Sequence, residues 1–210
     1  MSSRALATAQ PRVAPSASAE APTPIFRRAR AEDALEVAFE TFLSEARVDM
    51  QTLAAQLDVS PATLYRWFGS RAQLLDKVCE RLAEQFTSAA RAEARGKGDD
   101  RVCDYARHVM NASTAFPPVR SFVTREPQLA LRVLLGEGGS VHRLLSEQTR
   151  AEIHATRSPT EARRLDKHVE VIVQLATALV WATFMVGDEP QIDATVEIIR
   201  LILSSGRSEA

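Results

Sequence analysis

From Arg30 onward, apolar residues return at helical spacing, and short polar or proline-bearing breaks punctuate them. In "RAEDALEVAFETFLSEA", Ala34, Leu35, Ala38, Phe39 and Phe42 share one helical face. Asp49 stands where its carboxylate can cap a second helix, "MQTLAAQL", whose Leu53, Ala54 and Leu57 lie together. The connector "DVS" follows. Asp58 can take a left-handed turn, although glycine does so more easily, and Val59 points inward. Ser60 is placed as an N-cap, and Pro61 suits a first helical position, which needs no N–H. This third helix runs to Phe68, and Gly69 can end it in the left-handed conformation. Ser70 can cap a longer helix from Arg71 to about Arg95.

The remainder stays helical. "VCDYARHVMNASTA" follows the break "GKGDD", and "FPPVR" interrupts it. Short helices are expected around "SFVT" and "PQLALRVLL", then "GEGG" interrupts again. "VHRLLSEQTRAEIHA" is helical. Pro159 opens the longest segment, to about Met185, "GDEP" breaks it, and "QIDATVEIIRLIL" closes the chain. There is no strand-like alternation and no phosphate-cradling glycine loop. The expected fold is all-α: a three-helix N-terminal domain over 27–78 and a longer helical C-terminal domain over 79–210.

The opening "MSSRALATAQPRVAPSASAEAPTP" is Ala/Pro/Ser-rich and lacks aromatics, so residues 1–26 are expected to be disordered. Five arginines through Arg30 face only Glu20, giving this arm a positive charge that suits lying along DNA or simply facing water. It has no apolar run of signal-peptide length, so the expected location is cytoplasmic.

The third helix raises the functional question. At about 100° per residue, Leu64 and Phe68 fall on one side, while Ala62, Thr63, Arg66 and Trp67 fall on the other with Tyr65 at the edge. An idle surface helix favours Lys/Glu pairs over Thr, Tyr, Arg and Trp. A helix, a tight turn and a short helix with such a face form a helix-turn-helix, whose second helix enters the major groove. Arg66 can offer two hydrogen bonds to guanine, Thr63 can touch a base or a thymine methyl, and Tyr65 can reach phosphate.

Residues from about 30 to 78 resemble the DNA-binding domain of TetR-family transcriptional regulators. The run "LA…VS…TLYR.F.S…LL" is matched by Leu53, Ala54, Val59, Ser60, Thr63, Leu64, Tyr65, Arg66, Phe68, Ser70, Leu74 and Leu75. Asp58 replaces the commoner glycine of the turn, and Arg71 a commoner lysine. The resemblance implies a DNA contact at Gln51 and a phosphate contact at Arg71. The full set expected to meet operator DNA is Gln51, Thr52, Ser60, Ala62, Thr63, Tyr65, Arg66, Trp67 and Arg71. Against it stands the charge of residues 27–76, where six arginines face eight carboxylates. DNA affinity draws on phosphate neutralisation, so a single head should bind modestly and gain from dimerisation.

"VEVIVQLATALVWATFMV", residues 169–186, is apolar nearly all round. Glu170, Gln174 and two threonines, with no basic flank, argue against a membrane span. A helix covered on one side by its own domain and on the other by a second subunit fits better. In TetR-like regulators the last two long helices form such a four-helix dimer interface. "REPQLALRVL" and the closing "VGDEP" plus apolar helix further resemble QsdR-type regulators, which are associated with quorum-signal lactone degradation. That likeness implies a lactone-type effector, although Gln174, Ala176 and Ala178 leave the long helix less charged at its middle than the subgroup leads one to expect.

Gln174, Thr177, Trp181 and Phe184 form a stripe that can line an effector pocket, with Tyr105, His108 and Phe122 facing it from other helices; plain core packing is the competing reading. His108, His142, His154 and His168 lack metal-ligand spacing, and Cys79 and Cys103 are read as reduced core residues. No cofactor or metal is expected, and no catalytic arrangement supports an enzyme. The sequence thus predicts a homodimeric, operator-binding regulator, of repressor type, that responds to a small molecule. The alternative is a partner-binding helical protein that uses the helix-turn-helix only for packing.

Overall fold

A computed structural model of the chain describes residues 29–136 and 138–205. The proposed N-terminal arm lies outside the described residues, apart from its last arginine, Arg30. Among the described residues ten helices follow one another: α1 (Ala31–Leu43), α2 (Met50–Gln56), α3 (Pro61–Phe68), α4 (Arg71–Glu93), α5 (Asp99–Ala115), α6 (Pro117–Arg125), α7 (Pro127–Leu135), α8 (Ser140–Thr156), α9 (Pro159–Met185) and α10 (Ile192–Ser205). No strand occurs among the described residues. The all-α expectation and the order of elements hold.

Local chemistry sets most boundaries. Asp49, Ser60, Ser70 and Ser158 each accept a backbone N–H of the helix they precede, and Ser158 with Glu161 forms a reciprocal capping box. One boundary differs from expectation. "FPPVR" was expected to interrupt the helices, yet only Phe116 stands outside them, because Pro117 opens α6 at a position where no N–H is needed. Glu126 is likewise the single residue between α6 and α7, with Pro127 opening the latter.

Helices α1 and α3 pack on the first half of α4, and α2 packs on α1 and α3, to form the head. Leu64 and Leu74 are wholly buried there, beside Ala34, Ala38, Phe42 and Leu53. The second half of α4 runs into the body, against α5, α7 and α8, while α9 and α10 close the far side. One apolar core runs without interruption from Ala34 in α1 to Leu203 in α10. Because α4 is continuous through residues 78 and 79, head and body share a rigid element rather than a linker. Glu152, 2% exposed, is held by Arg91 and Arg101 from α4 and α5 at 3.2 and 2.7 Å. Those two guanidiniums satisfy a carboxylate that would otherwise be costly to bury. Cys79 and Cys103 are free and buried, as expected.

Helix α9 buries Leu165, Val169, Ile172, Val173 and Val180 in this core. Its other side is apolar and open: Val171 is 55% and Leu179 36% exposed, and Leu201 of neighbouring α10 reaches 68%. By length and composition α9 could cross a membrane, but a helix that faces its own core along one side passes the same test.

Candidate nucleic-acid interface and effector cavity

The head is built by short-range contacts. Asp49 Oδ1 accepts the N–H groups of Gln51 and Thr52, both at 3.0 Å, and the Thr52 hydroxyl at 3.2 Å. The Thr52 N–H is the main reason that its carboxyl sits below the usual range. The turn to α3 places Asp58 at φ 52°, the left-handed value read from its position. Ser60 Oγ accepts the Thr63 N–H at 3.2 Å and lies 3.0 Å from Thr63 Oγ1. Gly69 ends α3 at φ 77°, and a Cβ there would stand 2.1 Å from the side-chain oxygen of Gln73.

Of the residues expected to meet DNA, Gln51, Thr52, Ser60, Ala62, Tyr65 and Arg66 are exposed, and Thr63 is half-buried behind them. Arg66 makes no hydrogen bond or ion pair among the described residues. Two placements differ from the sequence reading. Trp67 is half-buried and packs on the apolar core. It lies about 60° around the helix from Leu64, so the bulky indole cannot leave that side. Arg71 does not project freely either. Its Nε donates to Val48 O at 2.5 Å, and Nη1 and Nη2 donate to the two oxygens of Glu126 at 2.6 and 2.7 Å. Arg71 therefore ties the head to the α6–α7 junction. The expected phosphate contact is replaced by an internal fork of charged hydrogen bonds. That fork also holds the Glu126 carboxyl below the usual range. Nothing in the sequence pairs Arg71 with a residue 55 positions away.

The body contains an internal cavity of about 110 Å³. Helices α4 to α10 all contribute to its wall, through residues such as Phe86, Met110, Val119, Leu134, Leu145 and Ile199. Tyr105, Thr177 and Trp181 line it, as the sequence suggested. The other four expected residues do not. Phe122 is buried against the head, its ring 5.5 Å from Phe42 in an edge contact. His108 lies in a shallow polar cleft beside Glu93, with Nδ1 2.8 Å from Asp104 O. Gln174 turns toward α8, in a groove with His142 and Arg150. Phe184 sits under the Arg120 guanidinium at 4.7 Å and edge-on to Trp181 at 5.8 Å. The reason is angular: the cavity meets the side of α9 that carries Val173, Ala176, Thr177 and Val180, and Gln174 falls to its flank.

The wall is almost wholly apolar and includes no Asp, Glu, Lys or Arg. Thr177 Oγ1 donates to Val173 O at 2.7 Å and Ser113 Oγ to Met110 O at 3.0 Å. The Tyr105 hydroxyl is buried and has no hydrogen-bond partner among the described residues. Burial pushes its ionisation well above the ordinary tyrosine value. No group of metal-ligating side chains occurs among the described residues.

An all-α head with an exposed third helix, fused through α4 to a helical body with an apolar cavity, defines the class of helix-turn-helix regulators. Residues 97–204 match the family described as tetracyclin repressor-like, C-terminal domain. The chain belongs to the TetR family of transcriptional regulators. Among solved structures, it is similar to the transcriptional repressor QsdR of R. erythropolis, from the TetR family. The two are 25% identical, with a TM-score of 0.75 over 83% of this chain and 94% of that one. A possible TetR-family regulator of Streptomyces coelicolor A3(2) aligns over 86% of this chain and all of its own, at 18% identity and a TM-score of 0.39. No curated protein matches the sequence.

Proposed function

We propose that the chain is a homodimeric repressor that binds operator DNA through α2 and α3 and leaves it when a small molecule fills the body cavity. The observation that carries this reading is the face of Gln51 on α2 and Ala62, Tyr65 and Arg66 on α3: exposed, with Arg66 unpaired among the described residues, on helices whose starts are capped by Asp49 and Ser60. An arginine without an internal partner is available to a guanine edge, whereas Arg71 is not. The open apolar sides of α9 and α10, with Val171, Leu179 and Leu201, support a two-fold interface that would set the spacing of two such faces.

The route from cavity to head runs through α6 and α7. Val119 of α6 and Leu134 of α7 stand in the cavity wall, while Phe122 of α6 and Glu126 at the α6–α7 junction hold Phe42 and Arg71 of the head. An occupant that displaces the wall shifts these contacts, and so the population of heads oriented for DNA. The likeness to QsdR-type regulators suggests a lactone-type effector. Binding to duplex DNA from upstream of the protein's own gene, followed by fluorescence anisotropy, tests the reading. Tight, sequence-selective binding by a dimer is expected. A monomer that binds equally well, or binding indifferent to sequence, would refute it.

A further inference from the structure

The outer side of α9 begins cationic and ends beside acid. Arg163, Arg164 and Lys167 are exposed near its start and make no ion pair among the described residues. At about 100° per residue they share a face with Val171, Leu175, Ala178 and Ala182, opposite the side that meets the cavity. From Val171 to Met185 the helix carries no charged side chain. The loop beyond it presents Asp188 and Glu189, both exposed and also without an ion pair among the described residues.

The neighbouring charges are engaged. Asp166 lies 2.9 Å from His154 Nε2 and 3.5 Å from Arg150 Nε. Glu170 accepts from Ser146 at 2.8 Å and from Arg150 at 3.3 Å, with His142 Nε2 at 2.9 Å. Arg120 borders the groove beside Asp188 and Glu189, but its guanidinium stacks on Phe184 and donates to Thr114 O. On α10, Asp193 pairs with Arg107, and Glu197 lies 4.0 Å from Arg200.

We infer that two copies pair antiparallel along α9, the cationic start of each lying on the acidic end of the other, and that this order of charge selects a second copy of the same chain as the partner. The inference rests on the homodimer reading, which leaves direction, register and choice of partner open. A two-fold interface must be complementary to itself. With positive charge at one end, apolar residues between and negative charge at the other, α9 meets that requirement head to tail. Parallel copies would set like charge on like at both ends, which opposes association. The apolar middle agrees. A register that brings Arg164 to the partner's Glu189 also brings Val171 to the partner's Ala182 and Leu175 to the partner's Ala178, large against small at each.

Charge exchange tests this on the full-length chain. One variant combines Arg163→Glu, Arg164→Glu and Lys167→Glu, and the other combines Asp188→Lys and Glu189→Lys. Each then carries a single sign at both ends of α9. Sedimentation at low ionic strength should show self-association at least about tenfold weaker than the parent's for either variant alone. An equimolar mixture should recover a heterodimer about as tight as the parent dimer, identified by its mass in native mass spectrometry. All five positions are exposed, so helix content and melting of the separate variants should stay near the parent's. The smaller exchange, Arg164→Glu mixed with Glu189→Lys, should give the same pattern at lower amplitude. Variants that self-associate as well as the parent, or that weaken singly and do not recover on mixing in either exchange, would overturn the inference while leaving the dimer in place. A monomeric parent would overturn the homodimer reading with it.

Discussion

The exposed face of α3 and the cavity in the body are made by opposite means. The hydrogen bonds that cap α2, α3 and α4 span only a few residues each: Asp49 to Thr52, Ser60 to Thr63, Ser70 to Gln73. The cavity draws Phe86, Tyr105, Val119, Leu145, Thr177 and Ile199 from six different helices. A surface made locally can be changed at one residue without disturbing the fold. A surface made by long-range packing cannot, since its walls are also the core. The Arg71–Glu126 pair stands between them, local on neither side.

The largest effect should come from the shared core. Leu64→Ala removes a wholly buried side chain from the head, at a cost of about 2–5 kcal/mol. Because head and body have one continuous core, urea denaturation should shift in a single transition seen alike by Trp67 and Trp181. A shift at Trp67 alone would separate the two regions more sharply than the core suggests.

Next is the link. Glu126→Gln should cost about 1.5–3 kcal/mol of stability at neutral pH, by replacing a charged fork with a neutral amide. It should also shrink the loss of DNA affinity expected from a cavity ligand. The pH dependence has a definite sign. Folding depresses the Glu126 ionisation, with the Arg71 fork as the main cause, so its contribution is complete above the unfolded value of about 4.5 and fades as pH falls through the lower folded value. Urea midpoints measured from pH 6 downward should therefore converge for the parent and Glu126→Gln. Parallel curves would deny Glu126 its charge-dependent role.

Arg66→Ala should weaken specific operator binding by about 1–3 kcal/mol with melting temperature unchanged, since Arg66 has no internal partner among the described residues. Anisotropy titrations on operator and on random DNA distinguish the base contact from a phosphate contact, which would be lost equally on both. Arg71→Ala should show the converse, a lower melting temperature as its first effect.

The smallest effect tests the turn. Asp58 adopts φ 52°, which is costly for a residue with a Cβ, while glycine gains there but loses more chain entropy on folding. The two oppose each other, so Asp58→Gly should stabilise by only about 0.5 kcal/mol, read from the urea midpoint. A destabilised variant would mean that the aspartate side chain holds the turn.

The sequence by itself determined what depends on neighbours in the chain. The order of helices, the caps at Asp49, Ser60 and Ser70, the left-handed Asp58 and the buried Leu64 followed from helical spacing and backbone hydrogen-bonding needs, which act over about one turn. The tertiary structure alone decided which long-range partners meet. It turned Arg71 from solvent to Glu126, laid Trp67 on the core, sent Phe122 to the head and His108 to the surface, and left Tyr105, Thr177 and Trp181 around a cavity. Helical periodicity tells which side of a helix is apolar, but not which helix it meets or at what angle. Those are set by how all ten helices fill space together.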